Sequence, residues 1–239
     1  MKNRIWFYFI TGSFIVQTFL FGSVPSRTVT HIETNPVVER RKETLEELYG
    51  WTVVGEWSEE EINVLFKAAW NLQKYVEVET GEDGQAWIRN HLGNVRFHHE
   101  TPVNRILFVN YALPTRDIYL LNDYGRSKDP ERDVTHELAH LLDNSLGGLL
   151  PASIVGGGPA DKMVSAVGGD PGRCSLRAYC PRAYSERASG PESWPEHAYA
   201  NKGVAEDFAE TLVFSIYDRS QVPARRLEWM DEFIARGVE

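Results

Sequence analysis

Hydrophobic residues recur at helical spacing along much of the chain, and the longest such pattern lies between residues 59 and 77. Ser58 and Glu61 have the serine-to-glutamate spacing of a capping box, which marks the start of a helix. The apolar residues that follow repeat every three or four positions: Ile62, Leu65, Phe66, Ala69, Leu72 and Val76. This stretch therefore predicts a long, core-packing helix at 59–77.

Similar patterns predict six more helices, and two apolar, β-rich runs predict strands. The helices are Glu39–Tyr49, Gln85–Leu92, Asp129–Ser145, a short one at Asp161–Val167, Gly203–Tyr217 and Ala224–Arg236. The strands are Arg105–Tyr111 and Asp117–Asn122. Several helices beside a small sheet are typical of the α+β fold class.

The stretch 146–195 is irregular and rich in glycine and proline. A loop of this length inside a domain is either functional or mobile, so it could cover a cleft or be a disordered insertion. It contains the two cysteines of the chain, Cys174 and Cys180. In an oxidising compartment they could close a short disulfide loop, and this interpretation is favoured because two thiolates alone do not complete a metal site.

The first 26 residues have the organisation of a signal peptide. Lys2 and Arg4 precede an apolar run, Ile5–Phe21, and Val24–Ser26 offers small residues for cleavage. The run is short for a membrane span, although an uncleaved anchor is the alternative. The rest of the protein is therefore expected to be secreted, or anchored with its main domain outside the cytosol.

Length and charge limit the organisation and the partners of the chain. Its 239 residues suit one domain or slightly more, and we expect a signal peptide or anchor at 1–26, a linker and helix at 27–50 and the main domain at 51–239. The net charge is −9; residues 1–26 contribute two positive charges and no acids, so the remainder carries −11. This argues against nucleic acid as the main partner, because phosphate binding needs a basic face.

Candidate chemistry concentrates in the motif HELAH at residues 136–140. On a helix, positions four apart share a face, so His136 and His140 could hold two corners of a tetrahedral zinc ion. Glu137 lies about 100° around the helix, too far off that face to be a natural third ligand. It is better placed to act as a general base on zinc-bound water.

Two histidines bind zinc only loosely, so a third ligand is expected from elsewhere. One class of zinc peptidases continues the motif with a glycine and a further ligand, but Asp143 and Leu146 occupy those positions. A glutamate from a later helix remains, and Glu206 and Glu210 share a helix face. Glu206 could ligate zinc while Glu210 accepts a ring N–H from a ligand histidine. The alternative is that both are solvated acids on a helix surface.

The segment YANKGVAEDFAE at 199–210, together with the HExxH motif, resembles the anthrax lethal factor-like metallopeptidases. That family has a tyrosine seven residues ahead of a zinc-ligating glutamate in an E-x-F-A-E-type helix. The resemblance covers about residues 95–236 and implies a minimal zincin-like fold, with a small sheet, an active-site helix and a C-terminal helix that carries the glutamate. The resemblance further implies that His136, His140 and Glu206 are the zinc ligands. It implies that Glu137 is the base and that Tyr199 donates a hydrogen bond to the oxyanion.

The chain also departs from that family. Large receptor-binding domains are absent from the sequence, so toxin action on intracellular kinases is not carried over. His197 is a competing candidate for the oxyanion, because some zincins use histidine there.

The sequence thus predicts a secreted zinc metalloendopeptidase whose zincin-like catalytic domain spans 51–239. A peptide or protein substrate is expected to lie along an edge strand, for which we favour 117–122. Two alternatives remain: a non-catalytic extracellular protein that binds zinc for structure or interaction, and a zinc hydrolase of cell-wall peptides. A membrane is expected as a partner only if the N-terminal segment is uncleaved.

Overall fold

A computed structural model describes seven ranges of the chain. The ranges are 35–99, 111–112, 115–120, 128–145, 157–171, residue 200 and 203–236. The predicted signal peptide, 1–26, lies outside the described residues. In the described ranges, no helix is both long and apolar enough to cross a membrane.

The seven predicted helices are confirmed, with ends that differ by at most a few residues. They are α1 (Pro36–Tyr49), α2 (Glu59–Thr80), α3 (Gly84–Leu92), α4 (Pro130–Ser145), α5 (Pro159–Ala166), α6 (Val204–Tyr217) and α7 (Ala224–Ala235). A 3₁₀ turn, Arg219–Gln221, links the last two. The capping box of α2 is present, with hydrogen bonds in both directions between Ser58 and Glu61.

Helix α1 begins earlier than expected. The sequence predicts a helix from Glu39, but Pro36 already occupies the first turn of the helix, where proline needs no hydrogen-bond donor. Asn35 caps the helix by accepting a hydrogen bond from the Val37 N–H at 3.0 Å. Because Val38 and Leu45 are buried in the main core, this segment is part of the folded body.

Within the described ranges, the sheet has four short strands in the order β1-β2-β4-β3, namely β1 (Thr52–Val54), β2 (Arg96–His98), β3 (Tyr111–Ala112) and β4 (Asp117–Tyr119). Strands β1, β2 and β4 are parallel, and β3 pairs antiparallel with β4. Strand β4 lies at the start of the predicted strand 117–122. Of the predicted strand 105–111, only Tyr111 is described, and it begins β3.

The position of β4 corrects one expectation. We expected 117–122 to form a sheet edge that could accept a peptide, but β4 is paired on both sides, with β2 and with β3. Ile118 and Tyr119 each already pair with a residue on both neighbouring strands, so β4 is not free to pair with a peptide. Among the described strands, the edges are β1 and β3.

The core lies between one face of the sheet and the helices. Val53, Phe97 and Ile118 come from three neighbouring strands at the same register and point into it. Fully buried residues of α2, α4 and α6 complete it, including Leu65, Leu72, Leu138, Leu142, Phe208 and Leu212. The result is a mixed, helix-rich α+β arrangement in which α4 packs against α2, α6 and β3.

Candidate metal centre

The helix that carries the HExxH motif, α4, is fixed by its own sequence and by the core. The Asp129 carbonyl accepts the first N–H groups, those of Arg132 and Asp133, at 3.0 and 3.3 Å. Val134 and Leu138 are fully buried on one side. Helix α4 makes its most extensive contact with α6, so the two segments singled out in the sequence lie against each other.

The structure brings together His136, His140 and Glu206 as one group that could hold a metal ion. The two Nε2 atoms lie 3.1 Å apart. Oε2 of Glu206 lies 3.0 Å from Nε2 of His136 and 3.8 Å from Nε2 of His140. Donor atoms bound to one tetrahedral zinc lie roughly 3.3 Å apart, so these separations suit a single ion.

Glu210 lies on the far side of the same imidazole. Its Oε1 is 3.1 Å from Nδ1 of His136, so the ring lies between two carboxylates one helical turn apart. With the Nδ1 proton donated to Glu210, Nε2 is the ring nitrogen that faces the other donor atoms and would bind a metal that displaces its proton. Neither glutamate is a solvated surface acid, since each side chain is only 15% exposed.

The charges around the two histidines separate their pKa values. Burial acts to lower the pKa of His136, but hydrogen bonds to Glu206 and Glu210 and the charge of Glu137 overcome this and raise it to about 10. Burial, helped by the positive charge of His136, lowers the pKa of His140 to about 4. The carboxylates of Glu206, Glu210 and Glu137 thus favour a positive charge at His136, next to the position where a metal ion would bind.

Glu137 is buried beside this group, with 6% of its surface exposed. It directly follows His136 on α4, and its negative charge is near enough to raise the pKa of that histidine. A carboxylate kept out of bulk water next to a metal position suits proton transfer better than ligation from this part of the helix.

Two contacts that the sequence did not reveal hold α6 in place. Asp207, next to Glu206, accepts hydrogen bonds from Nε and Nη2 of Arg226 on α7, at 3.0 and 2.8 Å. At the other end of α6, the Tyr217 hydroxyl lies 3.0 Å from the hydroxyl of Thr135, the residue before His136. Each ligand helix is therefore tied to a neighbour at the residue adjacent to its ligand.

Asp143 connects the end of α4 to α5. Its buried carboxylate accepts a hydrogen bond from the Ala160 N–H at 2.9 Å, in the first turn of α5. Gly158, at the N-cap of that helix, has no side chain to fill this role. Asp143 therefore has a capping role that links two helices, which its position in the sequence does not indicate.

The remaining predicted site residues lie outside the described part of the chain. These are Tyr199, the competing His197, and the cysteine pair Cys174 and Cys180. Comparison with known proteins adds no assignment: no family model matches the sequence, and neither a curated protein nor a solved structure gives a significant match.

Proposed function

We propose that this protein is a zinc-dependent metallopeptidase with a zincin-like catalytic domain. The observation that carries the proposal is the convergence of His136, His140 and Glu206 from two separate helices, with Glu137 buried in the same motif. The sequence resemblance to anthrax lethal factor-like metallopeptidases supports the same assignment. It also motivates the proposal that Tyr199 takes part.

The number of donors favours a catalytic site over a structural one. Structural zinc sites are closed by four protein ligands, whereas catalytic sites use three and leave a position for water or substrate. The group found within the described residues contains three donors. A purely structural site would also have no need for a buried carboxylate at position 137.

The same donors suit zinc in their chemistry. Two imidazole nitrogens and one carboxylate oxygen form a common catalytic zinc set, although other divalent ions also bind such groups. A zinc ion held there would polarise the scissile carbonyl and lower the pKa of a bound water. Metal analysis of the purified protein therefore identifies the ion directly.

The protein's own groups account for the proton transfers. Glu137 accepts a proton from the attacking water and later delivers it to the leaving amine. Glu210 holds His136 in the tautomer whose Nε2 faces the other donors. Tyr199 donates a hydrogen bond to the oxyanion that develops on the attacked carbonyl.

A peptide substrate is best accommodated at β3. Strand β3 is an edge of the described sheet and packs against α4, the helix that carries the histidines. An extended peptide that paired with this edge would gain affinity from main-chain hydrogen bonds. Secretion of the protein is part of the same proposal and depends on the signal-like segment at 1–26.

A metal analysis and a peptide-library digest test the proposal, with wild type compared with Glu137→Gln. We expect both proteins to contain zinc, and we expect the variant to cleave about 10²–10⁴-fold more slowly than wild type. Parallel digestion of peptidoglycan and of unfolded protein separates a cell-wall hydrolase from a general endopeptidase. Zinc binding with no cleavage of any substrate by wild type would favour a non-catalytic zinc protein.

A further inference from the structure

The ion pair between Asp207 and Arg226 is fully buried. The side chains are 1% and 0% exposed, and the two oxygens of Asp207 meet two different nitrogens of one guanidinium. Buried ion pairs are a weak source of net stability, because desolvation offsets most of the attraction. Their fixed, two-point geometry is the property that an apolar contact does not reproduce.

The pair adjoins the proposed metal ligand. Asp207 follows Glu206 directly in the first turn of α6, so the two side chains project about 100° apart around one helix axis. The N-cap of this helix is Gly203, which has no side chain with which to hold the turn. The ion pair with Arg226 therefore acts directly on the turn that carries Glu206.

The other end of the pair is fixed to the body of the protein. Arg226 lies on α7, which packs on α2, and Asp231 of α7 accepts a hydrogen bond from the Tyr75 hydroxyl of α2 at 2.8 Å. Helix α2 also packs against α4, which carries both histidines. A closed path of packed helices thus links the imidazoles to the carboxylate of Glu206 through this ion pair.

Small rotations of α6 are large on the scale of a metal site. Side-chain atoms lie about 5 Å or more from a helix axis, so a rotation of about 10° moves a carboxylate oxygen by about 1 Å. Metal–ligand distances are defined to about 0.2 Å. A small rotation of α6 would therefore change the distances between Glu206 and the two histidines while leaving the fold intact.

We propose that Asp207 and Arg226 are positioning residues, which fix the direction of Glu206 and so set the metal affinity of the site. This inference rests on the proposed metal site and not on the identity of the substrate. A second contact also joins α6 and α7, because the Phe208 ring packs edge-on against Trp229 and Phe233 of α7. The contact between α6 and α7 should therefore survive removal of the ion pair.

The test uses the full protein and three variants. The double variant Asp207→Leu with Arg226→Met replaces the pair by apolar groups of similar shape, and Arg226→Lys keeps the charge but loses the two-point contact. The matched control is Arg236→Met, the same substitution at the end of the same helix, where the arginine forms an exposed pair with Glu232. The measurements are zinc affinity by competition with a chelating indicator, the visible spectrum of bound Co²⁺, and folded content by circular dichroism.

We expect the double variant to be folded, to bind zinc about 10- to 100-fold more weakly than wild type, and to give an altered Co²⁺ spectrum. The zinc affinity of Arg226→Lys should lie between those of the double variant and wild type, and the affinity of Arg236→Met should equal that of wild type. A folded double variant with wild-type zinc affinity and an unchanged spectrum overturns the proposal. If the double variant does not fold, Arg226→Lys decides, and wild-type affinity in that folded variant overturns the proposal equally.

The same measurements distinguish a failure of the positioning role from a failure of the proposed function. A wild-type protein that binds no zinc overturns the metal site itself, and the positioning role with it. A wild type that binds zinc without cleaving peptides overturns the peptidase assignment alone, because every measurement above reports metal binding.

Discussion

The Nδ1 atom of His136 lies 3.1 Å from Oε1 of Glu210, while Nε2 of the same ring lies 3.0 Å from Oε2 of Glu206. The two glutamates of α6 therefore act on opposite edges of one imidazole. One carboxylate joins the donor group, and the other sets which ring nitrogen carries the proton. Because Nδ1–H donates to Glu210, the ring orientation is fixed before any metal binds.

The first prediction concerns Glu210. Glu210→Ala removes the acceptor for Nδ1–H, and we expect metal affinity to fall about 10- to 100-fold. Glu210→Gln retains a carbonyl acceptor and should lose less. Zinc competition titrations measure both, with Glu228→Ala as a control because Glu228 is exposed on α7. Unaltered affinity in Glu210→Ala would show that the hydrogen bond has no part in metal binding.

The sequence was sufficient to predict the helices and the members of the donor group. Helical periodicity and caps are local signals, so the sequence predicts each of the seven helices in the described ranges, and the spacing of His136 and His140 places both on one face. Glu206 was selected from its helical position relative to Glu210, with the resemblance as additional support. In each case the information lay within a few turns of one helix.

The sheet and the supporting contacts were harder to predict because they depend on residues far apart in the chain. Strands β1 and β2 have three residues each, too few for an alternating pattern to emerge. The partner of Asp207 lies on a different helix, so its identity required the fold. One signal was present: Asp207 shares a helix face with Val204 and Thr211, and an acid on a buried face needs a partner.

The second prediction concerns the cap that Asp143 supplies to α5. Asp143→Ala leaves the Ala160 N–H without this acceptor, and we expect a loss of about 0.5–2 kcal/mol in the free energy of unfolding. Asp143→Asn keeps an oxygen acceptor and should recover part of the loss. Urea denaturation followed by circular dichroism measures both. Equal stability of the alanine variant and wild type would refute the capping role.

The third prediction is a pH dependence that arises at Asp117. Hydrogen bonds from Arg96 hold the pKa of this carboxyl well below its usual range; burial opposes the shift, and hydrogen bonds from Thr115 and His98 add to it. A carboxyl with a lowered pKa in the folded state stabilises the protein at pH values above its unfolded pKa, about 3.9. That contribution is lost as the pH falls further towards the folded pKa.

Asp117→Asn should therefore be less stable than wild type at neutral pH, and its stability should change less as the solution is acidified below about pH 4. The measurement is the urea midpoint of both proteins as a function of pH. Glu56→Gln is the control, because Glu56 is exposed and should leave the wild-type profile unchanged. Parallel profiles for wild type and Asp117→Asn would contradict the assignment.

The fourth prediction concerns metal removal. A metal that binds only the folded state stabilises it by about 2.7 kcal/mol when its free concentration is 100 times the dissociation constant. Treatment with a chelator should therefore lower the Tm of the zinc-loaded protein, by roughly 5–10 °C for a domain of this size. The physical source is coordination of the cation by the nitrogen and oxygen donors, which lie within 4.8 Å of one another.

Two variants separate the ligands from the proposed base in this experiment. His140→Ala removes one donor, so its Tm should respond little to added zinc or to chelator. Glu137→Gln keeps all three donors and should retain the full wild-type response while losing catalysis, because Glu137 is assigned to proton transfer. Calorimetry of the three proteins with and without chelator gives the comparison. A Glu137→Gln variant that had lost the response would make Glu137 a ligand and remove the base from the proposed mechanism.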